Sequence, residues 1–253
     1  MAQRVGIIGV GLLGGALGQC LVKQGWEVFG HDPAAPVVNG LTMCGDATEL
    51  VGQCESVLLC LPTSDVVAGV IDALGQAVTD RHCFIDTTTG EPGEMEALGR
   101  RLAKQGAYYL EANVAGSSEL AKHGEATLFL GGDTETIEHH WELLEALAAK
   151  RFHVGPVGAA SRFKLVHNLI LGLNRAALGE GLAFAEALGF DAGEALALLK
   201  ETPAVSAAME AKGGKMAGGE YHPPQARLVQ HLKDVCLIRL LASKTGEIGR
   251  AHV

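Results

Sequence analysis

Short apolar runs alternate with helical patterns along residues 4–154 of the chain. Nearly continuous apolar runs of this length are typical of strands buried on both faces of a parallel sheet. The runs occupy residues 4–9, 26–30, 56–61, 82–86, 107–114, 125–131 and 151–154. The segments between them carry apolar residues at helical spacing, and the last predicts one helix over 134–150. This alternation predicts an α/β fold, a Rossmann-type domain with helices covering a parallel sheet.

Helical patterns alone fill the rest of the chain. They predict helices over residues 159–189, 191–200, 203–216 and 224–243. The first contains a stretch, 165–173, that is apolar on nearly every side. Such a helix must be buried, either in the fold or against a second subunit, so we expect a homodimer or homotetramer. The expected organisation is a dinucleotide-binding domain over 1–157 and an all-α domain for substrate binding and dimerisation over 158–246.

The composition limits which partners, ligands and cellular locations we expect for the protein. The net charge of −9 disfavours nucleic acid or an anionic membrane as a partner, because both need basic surface. The six cysteines form no metal-ligand spacing, so we expect reduced thiols, a cytoplasmic location and no metal. Residues 4–22 imitate a signal peptide, but glycine at this density weakens a helical segment, and a secreted lipoprotein stays as the alternative. No other stretch is long and apolar enough to span a membrane.

A glycine motif follows the first predicted strand. Gly9, Gly11 and Gly14 form GxGxxG, with Leu12 and Leu13 between the last two glycines. The first glycine allows a tight turn, the second lets a pyrophosphate approach the backbone, and the third lets the helix pack closely on the strand. The helix then offers free N–H groups and a partial positive charge to the phosphates. We expect all five residues to bind a dinucleotide, with a purely structural turn as the alternative.

An acid closes the second predicted strand. Asp32 follows Gly14 by 18 residues, which is the position where a carboxylate accepts hydrogen bonds from the adenosine ribose. A carboxylate there repels a 2′-phosphate. The sequence therefore predicts NAD as the cofactor, with NADP less favoured.

Three further loops follow predicted strands, at the sheet edge where ligands bind in such folds. Leu61 and Pro62 lie in one loop and Thr89 in the next, and we expect both loops to flank the cofactor. Helix capping explains either loop equally well. The third loop begins Ala115-Gly116-Ser117, and its accessible backbone N–H groups could hold a carboxylate, although a plain turn is the alternative.

Lys164 and Asn168 lie four residues apart in the first helical pattern of the second half. On a helix this spacing places both side chains on one face, one turn apart. An amine beside a carboxamide can hold a hydroxyl oxygen and exchange a proton with it. The alternative is a lysine whose stem packs while its amine reaches solvent.

These motifs together resemble the β-hydroxyacid dehydrogenase family, which includes 3-hydroxyisobutyrate dehydrogenase. The glycine fingerprint covers residues 9–14, and the family's substrate motif D-A-P-V-S-G-G corresponds to 111–117. The catalytic motif G-x-x-G-x-G-x-x-x-K-x-x-x-N corresponds to 155–168, with Lys164 and Asn168 in register. The S-T-x-x-P loop corresponds to 88–92, and the last motif begins at Lys233.

The resemblance implies hydride transfer between a nicotinamide and a small β-hydroxyacid, giving a semialdehyde or keto acid. Lys164 would be the general acid/base, and Asn168 would orient the lysine or the substrate. Ala115, Gly116 and Ser117 would hold the substrate carboxylate. Lys233 would close over the cofactor.

The chain departs from the family pattern at several positions. Ala115 replaces the motif serine, so Ser117 or Ser118 would have to supply that hydroxyl. Asn113 replaces the motif proline, and Ala160 replaces a glycine of the catalytic motif. The pattern G-x-A-x-D after the last motif is also replaced, over 236–240. Ala115 and the short C-terminus support one alternative, a dinucleotide-binding protein without turnover, and intact Lys164 and Asn168 argue against it. The other alternative is an imine reductase on the same scaffold, in which the lysine is usually replaced, so Lys164 favours the alcohol reaction.

The last seven residues, 247–253, read EIGRAHV. A reverse translation of this segment resembles a synthetic sequencing adapter. We expect a non-native tail there, following an apparently truncated helical domain, with a natural polar tail as the alternative.

Overall fold

The computed structural model describes residues 3–34, 37–222 and 228–246 of the chain. The chain divides into two compact units, Met1–Lys164 and Leu165–Val253, called the N-terminal and C-terminal units below. The division falls inside one continuous helix and not in a loop. The expectations for residues 247–253 lie outside the described residues.

The N-terminal unit is built on one sheet with helices on both faces. Its strands are β1 (Arg4–Ile8), β2 (Glu27–His31), β3 (Thr42–Met43), β4 (Ser56–Leu59), β5 (Cys83–Asp86), β6 (Tyr108–Ala115), β7 (Thr127–Gly131) and β8 (Lys150–Gly155). Its helices are α1 (Leu12–Lys23), α2 (Ala47–Gln53), α3 (Ser64–Leu74), α4 (Pro92–Lys104), α5 (Ser118–Lys122), α6 (Thr134–His139) and α7 (Trp141–Leu147), and α8 (Ala159–Ala187) begins in this unit. The predicted Rossmann-type α/β domain is confirmed.

The strands follow the order β3-β2-β1-β4-β5-β6-β7-β8. All neighbours are parallel except β6 and β7, which pair antiparallel, so the expectation of a fully parallel sheet is wrong for the last two strands. Parallel strands need a crossover of a dozen or more residues. Residues 116–126, which hold only the short helix α5, are too few for that crossover.

Side chains of alternate residues in the central strands belong to two hydrophobic layers, one on each face of the sheet. Leu58 and Ile85 belong to the layer that packs on α1 and α7. Val57, Leu59 and Phe84 belong to the layer that packs on α2, α3 and α4. Each such side chain contributes about 1.5–3 kcal/mol by leaving water. Burial on both faces explains why these strands read as continuous apolar runs.

Between the strands the structure differs from the sequence prediction at two places. The single helix expected over 134–150 is two helices, α6 and α7, and Lys150 already belongs to β8. The break falls at His140, whose ring Nδ1 lies 2.9 Å from the Thr136 carbonyl oxygen that its backbone N–H also contacts. A side chain that competes for a helix carbonyl weakens the helix locally. β3 and α2 were not predicted, because a two-residue strand shows no periodicity.

The C-terminal unit is all-α, as predicted. It contains the rest of α8, then α9 (Ala192–Lys200), α10 (Ala207–Ala217) and α11 (Leu228–Thr245). Its core includes Leu178, Leu182, Leu196 and Met209. Gly213 and Gly214 both lie inside α10, within the helix predicted over 203–216. A Cβ at Gly213 would come within 2.6 Å of a Leu196 methyl carbon, so this glycine serves helix packing.

Residues 165–173, expected to be buried in the fold or against a second subunit, are only partly buried within the single chain. Leu165 is buried, but Val166, Ile170 and Leu173 are 52%, 56% and 60% exposed. With Leu169 they recur at helical spacing and form one apolar stripe along α8. None of the helices in the described part of the chain is long and apolar enough to cross a membrane.

Candidate functional site

The glycine loop after β1 has two positions that the fold itself requires to be glycine. Gly9 adopts a φ of +93°, and its N–H donates a 2.8 Å hydrogen bond to the His31 carbonyl oxygen at the end of β2. A Cβ on Gly9 would lie 2.5 Å from the Cys60 carbonyl oxygen. A Cβ on Gly14 would overlap the Gly9 carbonyl oxygen. Close packing between β1, α1 and the end of β4 therefore requires glycine at both positions.

Gly11 differs from its two neighbours in the motif. Apart from its two chain neighbours, no residue in the described structure has an atom within 4 Å of a Cβ placed there. It occupies the N-cap position of α1, and it gives the following turn, Leu12, Leu13 and Gly14, no side-chain cap. The open space continues into a depression of about 300 Å³ that reaches Gln19 on α1 and Lys122 on α5. A phosphate-bearing cofactor fits this cradle, since its space and its N–H groups are available.

Asp32 lies directly after β2. The β1–β2 register pairs Ile8 with His31, which brings the end of β2 beside the glycine loop. Asp32 Oδ1 accepts a 2.8 Å hydrogen bond from the Ala34 N–H. The carboxylate is thus held next to the loop by its own turn.

The loops after β4 and β5 are joined by hydrogen bonds. The Leu61 N–H donates to Thr88 Oγ1 at 3.1 Å, and the Thr88 N–H donates to Asp86 Oδ1 at 2.8 Å. Leu61 and Pro62 therefore lie in a loop that is fastened to the loop of Thr89. The sequence placed both loops at the same sheet edge, and the structure brings them together.

A buried acid, which the sequence reasoning did not single out, organises this pair of loops. Asp86 ends β5 and accepts a second hydrogen bond, of 2.9 Å, from the Tyr109 hydroxyl. Burial raises the pKa of the Asp86 carboxyl to about 6, against the opposing effect of the hydrogen bonds from Thr88 and Tyr109. Asn113 adds a further bond, since its Nδ2 donates to the Thr88 carbonyl oxygen at 2.7 Å. The motif proline that Asn113 replaces has no side-chain donor for such a bond.

The loop after β6 begins with the three residues expected to hold a carboxylate. Ala115 is the last residue of β6, and Gly116 follows it. Ser117 Oγ accepts a 3.2 Å hydrogen bond from the Leu120 N–H and caps α5. The Ser117 hydroxyl can still donate its proton, because the capping bond uses only a lone pair.

The helix α8 carries both residues of the predicted catalytic pair. Lys164 and Asn168 are each 8% exposed and lie one turn apart. A second buried acid lies near the start of the helix: Glu111, on β6, accepts hydrogen bonds from the first turn of α8.

Within the C-terminal unit, Asn168 meets the last sequence motif. Asn168 Nδ2 donates to Asp234 Oδ2 on α11 at 2.8 Å. Lys233 Nζ lies 3.2 Å from the other oxygen, Oδ1, as an ion pair without hydrogen-bond geometry. Asp234 was not given a role from the sequence, although its place beside Lys233 in the last motif was visible.

Two family sequence models match consecutive parts of the chain. The NAD binding domain of 6-phosphogluconate dehydrogenase matches residues 4–155, more than half of the chain. The NAD-binding model of NADP-dependent 3-hydroxyisobutyrate dehydrogenase matches residues 158–247. The chain belongs to the β-hydroxyacid dehydrogenase family. The predicted family is confirmed, and with it an NAD(P)-binding function of the fold.

Curated members of the β-hydroxyacid dehydrogenase family align with most of the chain. An L-threonate dehydrogenase of Cupriavidus necator is 29% identical over 235 residues, covering 89% of this chain and 79% of that protein. A 2-(hydroxymethyl)glutarate dehydrogenase of Eubacterium barkeri is 28% identical over 254 residues, covering 97% and 84%.

Solved structures share the family fold. The 3-hydroxyisobutyrate dehydrogenase of Mycobacterium tuberculosis with L-serine superimposes with a TM-score of 0.86 at 24% identity, over 99% of this chain and 90% of that one. An imine reductase from Pseudomonas sp. superimposes with a TM-score of 0.75 at 18% identity, over 97% and 88%. At these identities the likeness concerns the fold alone.

Proposed function

We propose that the chain is an NAD(P)-dependent dehydrogenase that interconverts a small β-hydroxyacid and its semialdehyde or keto acid. The observation that carries this proposal is the buried pair of Lys164 and Asn168 on α8, in a member of the β-hydroxyacid dehydrogenase family. Bound NAD(P) supplies the hydride acceptor, or the donor in the reverse direction.

In the oxidation direction Lys164 accepts the proton of the substrate hydroxyl through Nζ. The hydrogen on the carbinol carbon leaves with the electron pair of its C–H bond as hydride, and the carbon and the hydroxyl oxygen become a carbonyl group. Asn168 orients the lysine or the hydroxyl oxygen with the amide oxygen and the N–H that its bond to Asp234 leaves available. The pair thus provides both the proton transfer and its alignment.

The cofactor contacts belong to the same proposal. Gly11, Leu12, Leu13 and Gly14 hold the phosphates, and Gly9 shapes the turn before them. Leu61, Pro62 and Thr89 flank the cofactor, and Lys233 closes over it. Asp32 accepts from the adenosine ribose, which favours NAD over NADP because the carboxylate repels a 2′-phosphate.

The substrate carboxylate is assigned to the backbone of Ala115, Gly116 and Ser117. Hydroxyacids act as substrates of the two curated relatives by name, and this supports the same class here. Because Ala115 lacks the motif hydroxyl, Ser117 is the residue proposed to supply one.

The domain assignment follows from these roles. Residues 1–157 form the dinucleotide-binding domain, and 158–246 form the domain for substrate binding and dimerisation. The stripe formed by Val166, Leu169, Ile170 and Leu173 is proposed to pack against the same stripe of a second copy, giving a homodimer or homotetramer. One patch that serves both partners is what two-fold symmetry requires. The free cysteines favour a reducing, cytoplasmic location.

The test is a screen of short hydroxyacids with NAD and with NADP, followed by absorbance of the reduced nicotinamide. We expect turnover with at least one hydroxyacid, and loss of turnover in Lys164→Ala with cofactor binding retained. Lys200→Ala, which removes a surface ion pair with Glu210, is the control. Near-full activity of Lys164→Ala would remove the lysine from the chemistry, and reduction of imines alone would favour the imine reductase.

A further inference from the structure

Glu111 is an acid in the middle of a buried strand. Glu111 is 1% exposed, and its strand neighbours Leu110 and Ala112 are buried apolar residues. A carboxylate in such a place is costly unless hydrogen bonds satisfy its oxygens. The buried carboxylate of Glu111 therefore needs specific hydrogen-bond donors.

Four donors meet the Glu111 carboxylate, and all belong to the start of α8. Oε2 accepts from the Gly158 N–H at 2.7 Å and from the Ala160 N–H at 3.2 Å. Oε1 accepts from the Ser161 N–H at 3.3 Å and from the Ser161 hydroxyl at 2.5 Å. These N–H groups are the unpaired donors of a helix N-terminus, where a negative charge is also favoured by the helix dipole.

Gly131 on β7 makes room for this contact. Glu111 and Gly131 are paired in the β6–β7 register. A Cβ at Gly131 would fall onto Glu111 Oε2 and within 3.1 Å of the Ala160 Cβ. The neighbouring strand is thus shaped so that the carboxylate reaches the helix.

We propose that Glu111 is a positioning residue that fixes the first turn of α8 and thereby sets where Lys164 lies. Ser161, which donates two of the four bonds, precedes Lys164 by three residues, which is less than one helical turn. A displacement of about 1 Å at a reacting group can cost on the order of a hundredfold in rate. This inference rests on the proposed role of Lys164, but the anchoring of the helix can be measured separately.

The experiment compares Glu111→Gln, Glu111→Asp and Ser161→Ala with the wild-type enzyme. Glu111→Gln keeps the shape of the side chain but replaces one acceptor oxygen by an NH₂ that faces other donors. We expect its kcat to fall about tenfold or more, with the Kd for NAD changed by less than about twofold. Glu111→Asp keeps the charge and should restore part of kcat, and Ser161→Ala should give a smaller loss.

Hydrogen–deuterium exchange of residues 158–164 supplies a readout that does not need turnover. Exchange there should accelerate in Glu111→Gln, and to a lesser degree in Ser161→Ala, while exchange in α1 stays unchanged. Glu96→Gln is the matched control, since Glu96 also contacts α8, through a partly exposed 2.5 Å ion pair with Arg162. Pairs of that kind contribute little, so this variant should behave as wild type.

The outcomes separate the two proposals. If exchange accelerates but the wild-type protein turns over no hydroxyacid, the anchor stands and the proposed function fails. Unchanged exchange at 158–164 in both Glu111→Gln and Ser161→Ala overturns the anchor. So does a Glu111→Gln kcat within about twofold of wild type. If Glu111→Gln does not fold, the Ser161→Ala result decides.

Discussion

Asn168 and Asp234 are joined by a 2.8 Å hydrogen bond from Nδ2 to Oδ2, which fixes the amide on α8 by a carboxylate on α11. With the amide nitrogen turned to Asp234, the amide oxygen faces another direction. The orientation of the predicted catalytic amide is therefore decided by a residue outside its own helix.

Asp234→Asn tests this dependence. The change keeps the size of the side chain but removes the charge that faces both Asn168 and Lys233. Hydrogen bonds to charged groups contribute about 1.5–3 kcal/mol, so we expect kcat/KM for the hydroxyacid to fall about tenfold or more. Asp191→Asn is the control, because asparagine caps a helix as well as aspartate and Asp191 caps α9. Equal kcat/KM in both variants would contradict the role given to Asp234.

Gly11→Ala separates ligand binding from folding. Since no described residue other than its chain neighbours would meet the new methyl group, the free energy of unfolding should change by less than about 1 kcal/mol, the usual range at a helix N-cap. The Kd for NAD, measured by calorimetry, should rise about tenfold or more if the pyrophosphate occupies that space. Gly14→Ala, in contrast, should lose about 1–3 kcal/mol or more of stability, because its methyl group overlaps the Gly9 carbonyl.

Asp32→Ser addresses the choice of cofactor. Removal of the carboxylate should raise the ratio of kcat/KM with NADP to kcat/KM with NAD by about tenfold, equivalent to roughly 1.4 kcal/mol. Asp46→Ser makes the same change at the N-cap of α2, where serine serves equally well, and should leave the ratio unaltered. An unaltered ratio in Asp32→Ser would speak against the ribose contact.

Asp86 should make the stability depend on pH. Its folded pKa of about 6 lies above the ordinary value of 3.8, so the native state binds the proton more tightly than the unfolded state. The stabilisation from this group is complete below pH 3.8 and is lost as the pH rises through about 6. Urea unfolding at both ends of this window should show wild type losing about 2–3 kcal/mol relative to Asp86→Asn as the pH rises. A constant difference between the two proteins would show that Asp86 does not titrate in this window.

Ile170→Glu tests the second copy proposed for α8. Ile170 lies in the exposed apolar stripe, and a charge there should disfavour self-association. Light scattering should show a smaller assembly than for wild type at equal concentration. Leu198→Glu places the same charge at another exposed leucine, on α9, and should leave the mass unchanged. A wild-type mass equal to the 26.3 kDa chain would refute the dimer.

The features that could be predicted from the sequence depend on residues close to one another in the chain. The glycine spacing at 9–14, the βα alternation and the spacing of Lys164 and Asn168 all express local geometry, and the fold agrees with them. The contacts that were missed join distant parts of the chain. Glu111 meets residues 47–50 positions later, and no periodicity connects an acid in one strand with a helix that follows so far behind.

Some missed features had a faint local signal. Glu111 and Asp86 each place an acid inside or at the end of an otherwise apolar run, which is unusual for a residue that has to be buried. The antiparallel β7 could have been inferred from the shortness of the segment before it. The exposure of Ile170 could not be inferred, since a helix covered by its own fold and one covered by a second copy have the same pattern.

The helix α8 passes without interruption through the division between the two units, with Lys164 on one side and Leu165 on the other. The offset between amine and amide is consequently a property of the helical repeat, about 6 Å along the axis, and not of any loop. Deleting one residue between them would swing the amide by about 100° around the helix. Surface loops of such an enzyme can tolerate insertions and deletions, but the helix between Lys164 and Asn168 cannot.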